Sequence, residues 1–244
     1  MSEVVVASIG ATHPANVAGV GRDVVVGTEL GVTVVTVITA VSAQDESGVH
    51  ALHVLPAQMV QAQLESLRSF RLAAIRVGVL GSAQNVHGIA KWLRSLAPIP
   101  AVVDPVFAAS AGGVLTDGEA IVALRDRLAT LANVILTPNL IEAAILLGQE
   151  RIALAEMEEA ARRLQARGAF AVLLKGGHLD DDPVDMLATA ESVEAFTAPR
   201  ISTAMHGTGC TLAMALACGL AHRSTLRDAV RTARDYVRAK MTEC

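Results

Sequence analysis

His206-Gly207-Thr208-Gly209-Cys210-Thr211 stands directly before an apolar run, 212–220, that reads as a buried helix. Two glycines at the mouth of a helix let backbone N–H groups turn toward one centre. The first N–H groups and the helix dipole favour an anion there. Cys210 falls in the first turn, where the same field favours a thiolate. Three further places carry chemistry at the ends of expected strands: Asp104 before Pro105, Asn139 with Glu142, and Lys175 before Gly176, Gly177 and His178. Each has a plain structural explanation when taken alone. The glycine hexapeptide is equally a turn with a Thr cap and a small buried Cys. Asp104 suits a turn, Asn139-x-x-Glu142 suits a helix cap, and Lys175 can snorkel from a loop. The functional alternative for Asn139 and Glu142 is a carboxylate that holds Mg2+ through water. Together the parts suit phosphoryl transfer, which needs a cradle for the transferring group, cations against its charge and a positioned hydroxyl. The sequence has no Walker A loop, so residues 207–210 would themselves form the cradle.

These residues can meet only if a scaffold gathers the strand ends. Apolar β-branched runs predict strands over 4–9, 32–39, 74–80, 101–103, 134–136 and 171–174, with a strand pair over 185–189 and 193–196. Helical spacing predicts helices over 21–30 (closed by Gly31), from Pro56 to about 70, and over 85–96, with Trp92 as a packing residue. Further helices fall over 118–131, 140–147, 154–167, after Gly209, and over 225–240. Residues 43–48 read as a polar loop and 108–113 as a small-residue loop. Strands that alternate with helices imply right-handed crossovers and a mostly parallel sheet covered on both faces. No linker or repeat divides the chain, so 1–244 reads as one α/β domain. In such sheets ligands sit beyond the carboxyl ends of the strands. The Gly19-x-Gly21 pair lacks the later glycine of a dinucleotide fingerprint.

Aromatic residues make up only 2% of the chain, so the core must be Val, Leu, Ile and Ala. A net charge of −4 with interspersed signs leaves no basic stripe, which argues against nucleic acid as a partner. The cysteines Cys210, Cys218 and Cys244 are few and odd in number, as expected of a reducing compartment. The apolar stretches 32–41 and 211–220 fall short of the ~20 residues of a membrane span. No basic leader precedes the first strand. The expectation is a cytoplasmic protein that contacts neither membrane nor nucleic acid.

The motifs also occur together in an order that resembles a known family. They are Pro14 and Ala18-Gly19 followed by Asp23; Thr36-x-Ile38-Thr39-Ala40 with Ala43-Gln44; Val103-Asp104-Pro105-Val106; and Thr137-Pro138-Asn139 with Glu142-Ala143. Leu174-Lys175-Gly176-Gly177-His178-Leu179, Ala198-Pro199-Arg200 and the hexapeptide 206–211 complete the set. The chain resembles the ribokinase-like superfamily, and within it the hydroxymethylpyrimidine and phosphomethylpyrimidine kinases of thiamine biosynthesis, which are close to one class of pyridoxal kinases. The resemblance implies a three-layer αβα ribokinase-like fold, a homodimer, and transfer of phosphate from ATP, with Mg2+, to the hydroxymethyl group of 4-amino-5-hydroxymethyl-2-methylpyrimidine and then to its monophosphate. It places Gln44 on the aminopyrimidine edge, Ala11, Ala18, Val79 and Val106 around the ring, and Asp23 near the hydroxymethyl end. Asn139 and Glu142 would serve Mg–ATP, with Asp104 as a second carboxylate toward the metal. Lys175 and Thr208 would face the ATP phosphates, and Gly207, Thr208, Gly209 and Cys210 would form the anion hole. Cys210 stands where many relatives outside this branch carry an aspartate base, and it would either deprotonate the acceptor hydroxyl or orient it. The alternatives are a pyridoxal or pyridoxine kinase, and a degenerate member that binds ligand without useful catalysis.

Three loops depart from the family pattern. Thr12-His13-Pro14-Ala15-Asn16-Val17-Ala18-Gly19 replaces Thr-Asp-Pro-Ser-Gly-Gly-Ala-Gly, and Ala109-Ser110-Ala111-Gly112-Gly113 replaces Ala-Lys-Ser-Gly-Asp. Thr203-Ala204-Met205-His206 is one residue shorter than the family's Thr-Lys-Asn-Thr-His and lacks its lysine. Phosphorylated acceptors need cations. Lys175 is the only lysine left in the matched motifs, and His13 and Arg22 are the candidates to make up the charge.

Overall fold

The structure is a computed structural model that describes residues 3–45, 47–109, 112–177, 182–203 and 205–243. His178, Leu179, Ser110, Ala111, Ala204 and Cys244 lie outside the described residues.

Each central strand sends alternate side chains to two different apolar layers. In β5 (Ala101–Val103), Ala101 and Val103 join one cluster and Val102 the other; in β6 (Val134–Leu136), Val134 and Leu136 part from Ile135 in the same way. A strand buried on both faces needs helices on both, which is why the short runs here are continuously apolar. Among the described residues, nine strands form one sheet in the order β3-β2-β1-β4-β5-β6-β7-β8-β9. The strands β1 (Val5–Thr12), β2 (Thr33–Asp45), β4 (Leu72–Val77), β5, β6 and β7 (Ala171–Lys175) run parallel. β3 (Gly48–Val54) and the pair β8 (Val184–Ala188) and β9 (Val193–Thr197) add antiparallel edges.

The helices α1 (Gly19–Glu29), α7 (Thr208–Ala221) and α8 (Leu226–Glu243) cover one face. On the other lie α2 (Ala57–Ser66), α3 (Ala83–Ser95), α4 (Gly118–Ala123), α5 (Leu140–Leu147) and α6 (Met157–Gln165). This is the three-layer αβα arrangement with a mostly parallel sheet that the sequence implies. None of the described helices is long and apolar enough to cross a membrane.

Several elements differ from the sequence reading. The segment expected as a polar loop over 43–48 instead continues β2 through Asp45 and turns into β3, with Gln44 paired to Val49 and Asp45 to Gly48. The hairpin lies at the sheet edge, so its polar residues face solvent and mimic loop composition. The expected helix over 118–131 is α4 followed by a π-helical turn, Leu124–Leu128. The helix after the glycine motif starts at Thr208, one residue before Gly209.

Candidate active site

The carboxyl ends of the strands on the α7 face break the apolar pattern. Alternation assigns position 76 of β4 to the same layer as Ala74, yet an arginine fills it. Ser8 of β1 is its register partner. Asp104, Thr137 and Lys175 extend the row at the ends of β5, β6 and β7. Lys175 Nζ lies 2.7 Å from Asp104 Oδ1, and Arg76 Nη2 lies 3.4 Å from Asp104 Oδ2. Thr137 Oγ1 donates to Asp104 Oδ1 at 3.3 Å. Asp23 rises from α1 to meet the other arm of the guanidinium, with Oδ2 3.1 Å from Nη1 and accepting Ser8 Oγ–H at 2.6 Å. The result is a buried chain of alternating charge, Asp23, Arg76, Asp104 and Lys175. Charges out of water persist only when paired in this way.

The first turn of α7 sits over this chain. Gly209 makes the approach possible, because a Cβ there would come 3.3 Å from Lys175 Nζ and 3.6 Å from Asp104 Oδ2. Gly207 caps the helix in the left-handed region at φ 74, and a Cβ on it would come 2.1 Å from the carbonyl oxygen of Val17. No side chain caps this end, and the first intrahelical bond runs from Thr211 N–H to the Gly207 carbonyl. The N–H groups of Thr208, Gly209 and Cys210 precede that bond, so they have no intrahelical acceptor and lie at the positive end of the helix dipole. Residues 207–210 are partly exposed.

Beside the turn, Asn139 and Glu142 form a capping box on α5. Asn139 Oδ1 accepts Glu142 N–H at 2.8 Å, and Glu142 Oε2 accepts Asn139 N–H at 2.7 Å. Lys175 N–H donates to the Pro138 carbonyl at 2.8 Å, which fixes the two strand ends side by side. Burial pushes the Glu142 carboxyl up to about 7, against the pull of Lys175 and with a further push from Asp104. Burial also acts to depress the Lys175 ammonium, but Asp104 and Glu142 outweigh it and hold the group above its ordinary value. Gly176 N–H donates to Asp185 Oδ1 at 3.0 Å, and Asp185 Oδ2 accepts Arg234 Nε–H at 2.8 Å. Helix α8 thereby anchors the turn after Lys175.

An apolar cluster gathers near the same strand ends. Ala11, Ala40, Val79 and Leu115 cluster with Val49, Leu52, Val54, Val106 and Ala109. The residues expected around the ring, Ala11, Val79 and Val106, therefore do meet, and the hairpin β2–β3 supplies the rest of the wall. Ala18, at the N-cap of α1, is partly exposed. Gln44 is partly exposed on β2, where its Oε1 accepts Ser42 Oγ–H at 3.1 Å. A separate groove of about 540 Å3 between α3 and α4, lined by Ala83, His87, Glu119, Val122, Asp126 and Arg127, contains none of these residues.

Several expected roles change. Asp23, expected near the hydroxymethyl end, is fully buried: its Oδ2 is taken by Arg76 and Ser8, and burial raises its carboxyl to about 6 despite Arg76. Asp104, expected as a second carboxylate toward the metal, is 2% exposed and shares its oxygens with Arg76 and Lys175. Among the described residues no three His, Cys, Asp or Glu side chains converge as a metal cage. His13 cannot stand in for a lost lysine. Its Nε2 accepts Ala18 N–H at 3.1 Å, which requires a neutral ring, and burial lowers its basicity further. Arg22 is held against α7 by its bond to Thr211 Oγ1 at 3.2 Å. The expected thiolate at Cys210 is also reversed. Burial raises the thiol above its ordinary value, with Arg76 opposing and Asp104 and Asp23 adding to the rise. Burial thus favours the thiol over the thiolate at Cys210. Its alkylation by iodoacetamide, followed by mass spectrometry, should stay slow near pH 7 and accelerate only above the ordinary thiol range; rapid labelling at pH 7 would contradict this.

Sequence reasoning missed Arg76, Ser8 and the β3 wall. For Arg76 a signal was present, since a lone charge inside Leu72–Val77 has no reason to sit in a doubly covered strand.

A parallel sheet under an uncapped helix terminus, with a lysine and a capped glutamate beside it, is the architecture of the ribokinase-like kinases. The phosphomethylpyrimidine kinase family model matches residues 14–243. A hydroxymethylpyrimidine/phosphomethylpyrimidine kinase of Streptomyces coelicolor is 40% identical over 190 residues, 77% of this chain and 70% of that protein. The crystal structure of phosphomethylpyrimidine kinase from Clostridium difficile 630 superposes with a TM-score of 0.86 at 26% identity, covering 98% of this chain and 100% of that one. Pyridoxal kinase from Staphylococcus aureus in complex with pyridoxal superposes with a TM-score of 0.90 at 26% identity, covering 99% and 89%. The chain belongs to the phosphomethylpyrimidine kinase family.

Proposed function

We propose that this kinase transfers the γ-phosphoryl group of ATP to the hydroxymethyl group of 4-amino-5-hydroxymethyl-2-methylpyrimidine, as a step in thiamine biosynthesis or salvage. The observation that carries the reading is the juxtaposition of an uncapped α7 N-terminus, Lys175 and an apolar wall that bears one amide, Gln44. A flat neutral heterocycle suits that wall, and an amide can match a paired donor and acceptor on its edge. The N–H groups of Thr208, Gly209 and Cys210 bind the transferring phosphoryl group, and Lys175 binds the nucleotide phosphates. Cys210, as a thiol, orients the acceptor hydroxyl at neutral pH.

Glu142 fits a hydrated Mg2+, because Mg2+ keeps most of its waters and needs only one or two carboxylates beside the nucleotide phosphates. When bound, the ion neutralises charge on the phosphates. Glu142 must be ionised to hold it, and burial pushes its carboxyl up to about 7. The half-saturating Mg2+ concentration should therefore fall as pH rises through about 7 and flatten above it. In Glu142→Gln the dependence should vanish, and an unchanged profile in that variant would count against the role.

The function is tested by supplying Mg–ATP with the aminopyrimidine, its monophosphate or pyridoxal in parallel and measuring ADP release. Turnover led by the aminopyrimidine supports the proposal. A strong preference for pyridoxal favours the second reading, which the likeness to pyridoxal kinase motivates. No turnover with any of the three would leave ligand binding alone. The missing loop lysines make the monophosphate the weaker acceptor. The homodimer that the family implies belongs to the same reading, and light scattering would test it.

A further inference from the structure

Arg76 is 1% exposed, and the sheet is built around it. A Cβ on Gly78 would come 2.3 Å from Nη1, so this glycine leaves the slot that the guanidinium fills. Its two arms divide between Asp23 and Asp104, and it also faces the Cys210 thiol. We propose that Arg76 is a positioning residue for phosphoryl transfer: it keeps Asp104 aligned beneath Lys175 and sets a fixed positive charge beside Cys210. The proposal rests on the phosphoryl-transfer reading of the site.

Charge accounting gives the reason. Asp23, Arg76, Asp104 and Lys175 sum to zero in the order minus, plus, minus, plus. Without Arg76, the carboxyl groups of Asp23, Asp104 and Glu142 face one lysine, and the site turns negative where phosphate must approach. Asp104 would also draw on Lys175 alone, which takes the ammonium away from the nucleotide. A planar fork is suited to holding two carboxylates at once, whereas an ammonium is a point charge.

Arg76→Met alone would strand Asp23 in the core and endanger folding. The Asp23→Asn/Arg76→Met double variant removes one charge of each sign and keeps the net charge of the floor. If Arg76 serves only to pair with Asp23, this variant recovers normal turnover. If it positions Asp104 and Lys175, circular dichroism shows a folded protein whose kcat is lower on the order of a hundredfold, and Asp23→Asn/Arg76→Lys recovers part of the loss. A kcat deficit smaller than about tenfold in the folded double variant overturns the proposal. Alkylation of Cys210 by iodoacetamide gives a readout independent of turnover. The double variant should need a higher pH than wild type for equal labelling, and an unchanged pH profile overturns the charge effect on the thiol. Should wild type phosphorylate no hydroxymethyl heterocycle, the functional reading fails while the alkylation profile still decides the part played by Arg76.

Discussion

Lys175→Met should lower kcat by about 10²–10³-fold while leaving the protein folded. The methionine keeps most of the side-chain volume, and Asp104 retains Arg76 and Thr137 as partners, so no buried carboxylate is left alone. The loss falls on the step in which charge develops on the transferring group. The ammonium projects toward the first turn of α7 across the space that Gly209 leaves, which is where that charge would appear. Steady-state kinetics should show the larger effect in kcat, with a smaller rise in KM for ATP. Lys175→Arg restores the charge but brings a bulkier fork against Gly209, and should recover only a fraction. A Lys175→Met variant within about tenfold of wild-type kcat would mean that the lysine is a structural partner of Asp104 and no more.

Gly207→Ala should damage both stability and catalysis. The residue sits at φ 74, where a Cβ costs about 1–2 kcal/mol. That Cβ would also press into the Val17 carbonyl, so the first loop must shift. The combined cost should be about 2–4 kcal/mol, or roughly 2–4 °C of Tm for each kcal/mol in a chain of this size. Because the loop 13–18 and the turn 207–210 brace each other, the N–H groups proposed to receive the phosphate should lose their aim. Thermal melting with parallel measurement of kcat should show both effects. An alanine variant with unchanged Tm and kcat would show that the turn tolerates other geometries.

Much of this was legible in the residues, for identifiable reasons. The short strands Ala101–Val103 and Val134–Leu136 and the helix Leu140–Leu147 fall where expected, because continuous apolar runs between turn residues leave few other structures open. The site motifs at 139–142, 175 and 207–210 were legible because each ends a strand or opens a helix, and they do come together. The hairpin at Gln44 was not, since the polar and exposed residues of an edge ribbon give it the composition of a loop. The electrostatics were not legible either. A helix N-terminus predicts a stabilised thiolate at Cys210, but burial and the neighbouring carboxylates reverse the sign, and burial depends on tertiary contacts. Asp23 and Asp104 look like site residues in the motifs, yet both are buried against Arg76, and Asp104 also against Lys175.

The central claim is that the transferring phosphoryl group sits at the first turn of α7. The most direct measurement is a crystal structure of the protein with Mg2+, AMP-PCP and the aminopyrimidine. The terminal phosphate should accept hydrogen bonds from the N–H groups of Thr208, Gly209 and Cys210 and from Lys175 Nζ, with the pyrimidine against Val79 and Val106. A terminal phosphate bound away from this turn, or a pyrimidine seated in the α3–α4 groove, would contradict the account.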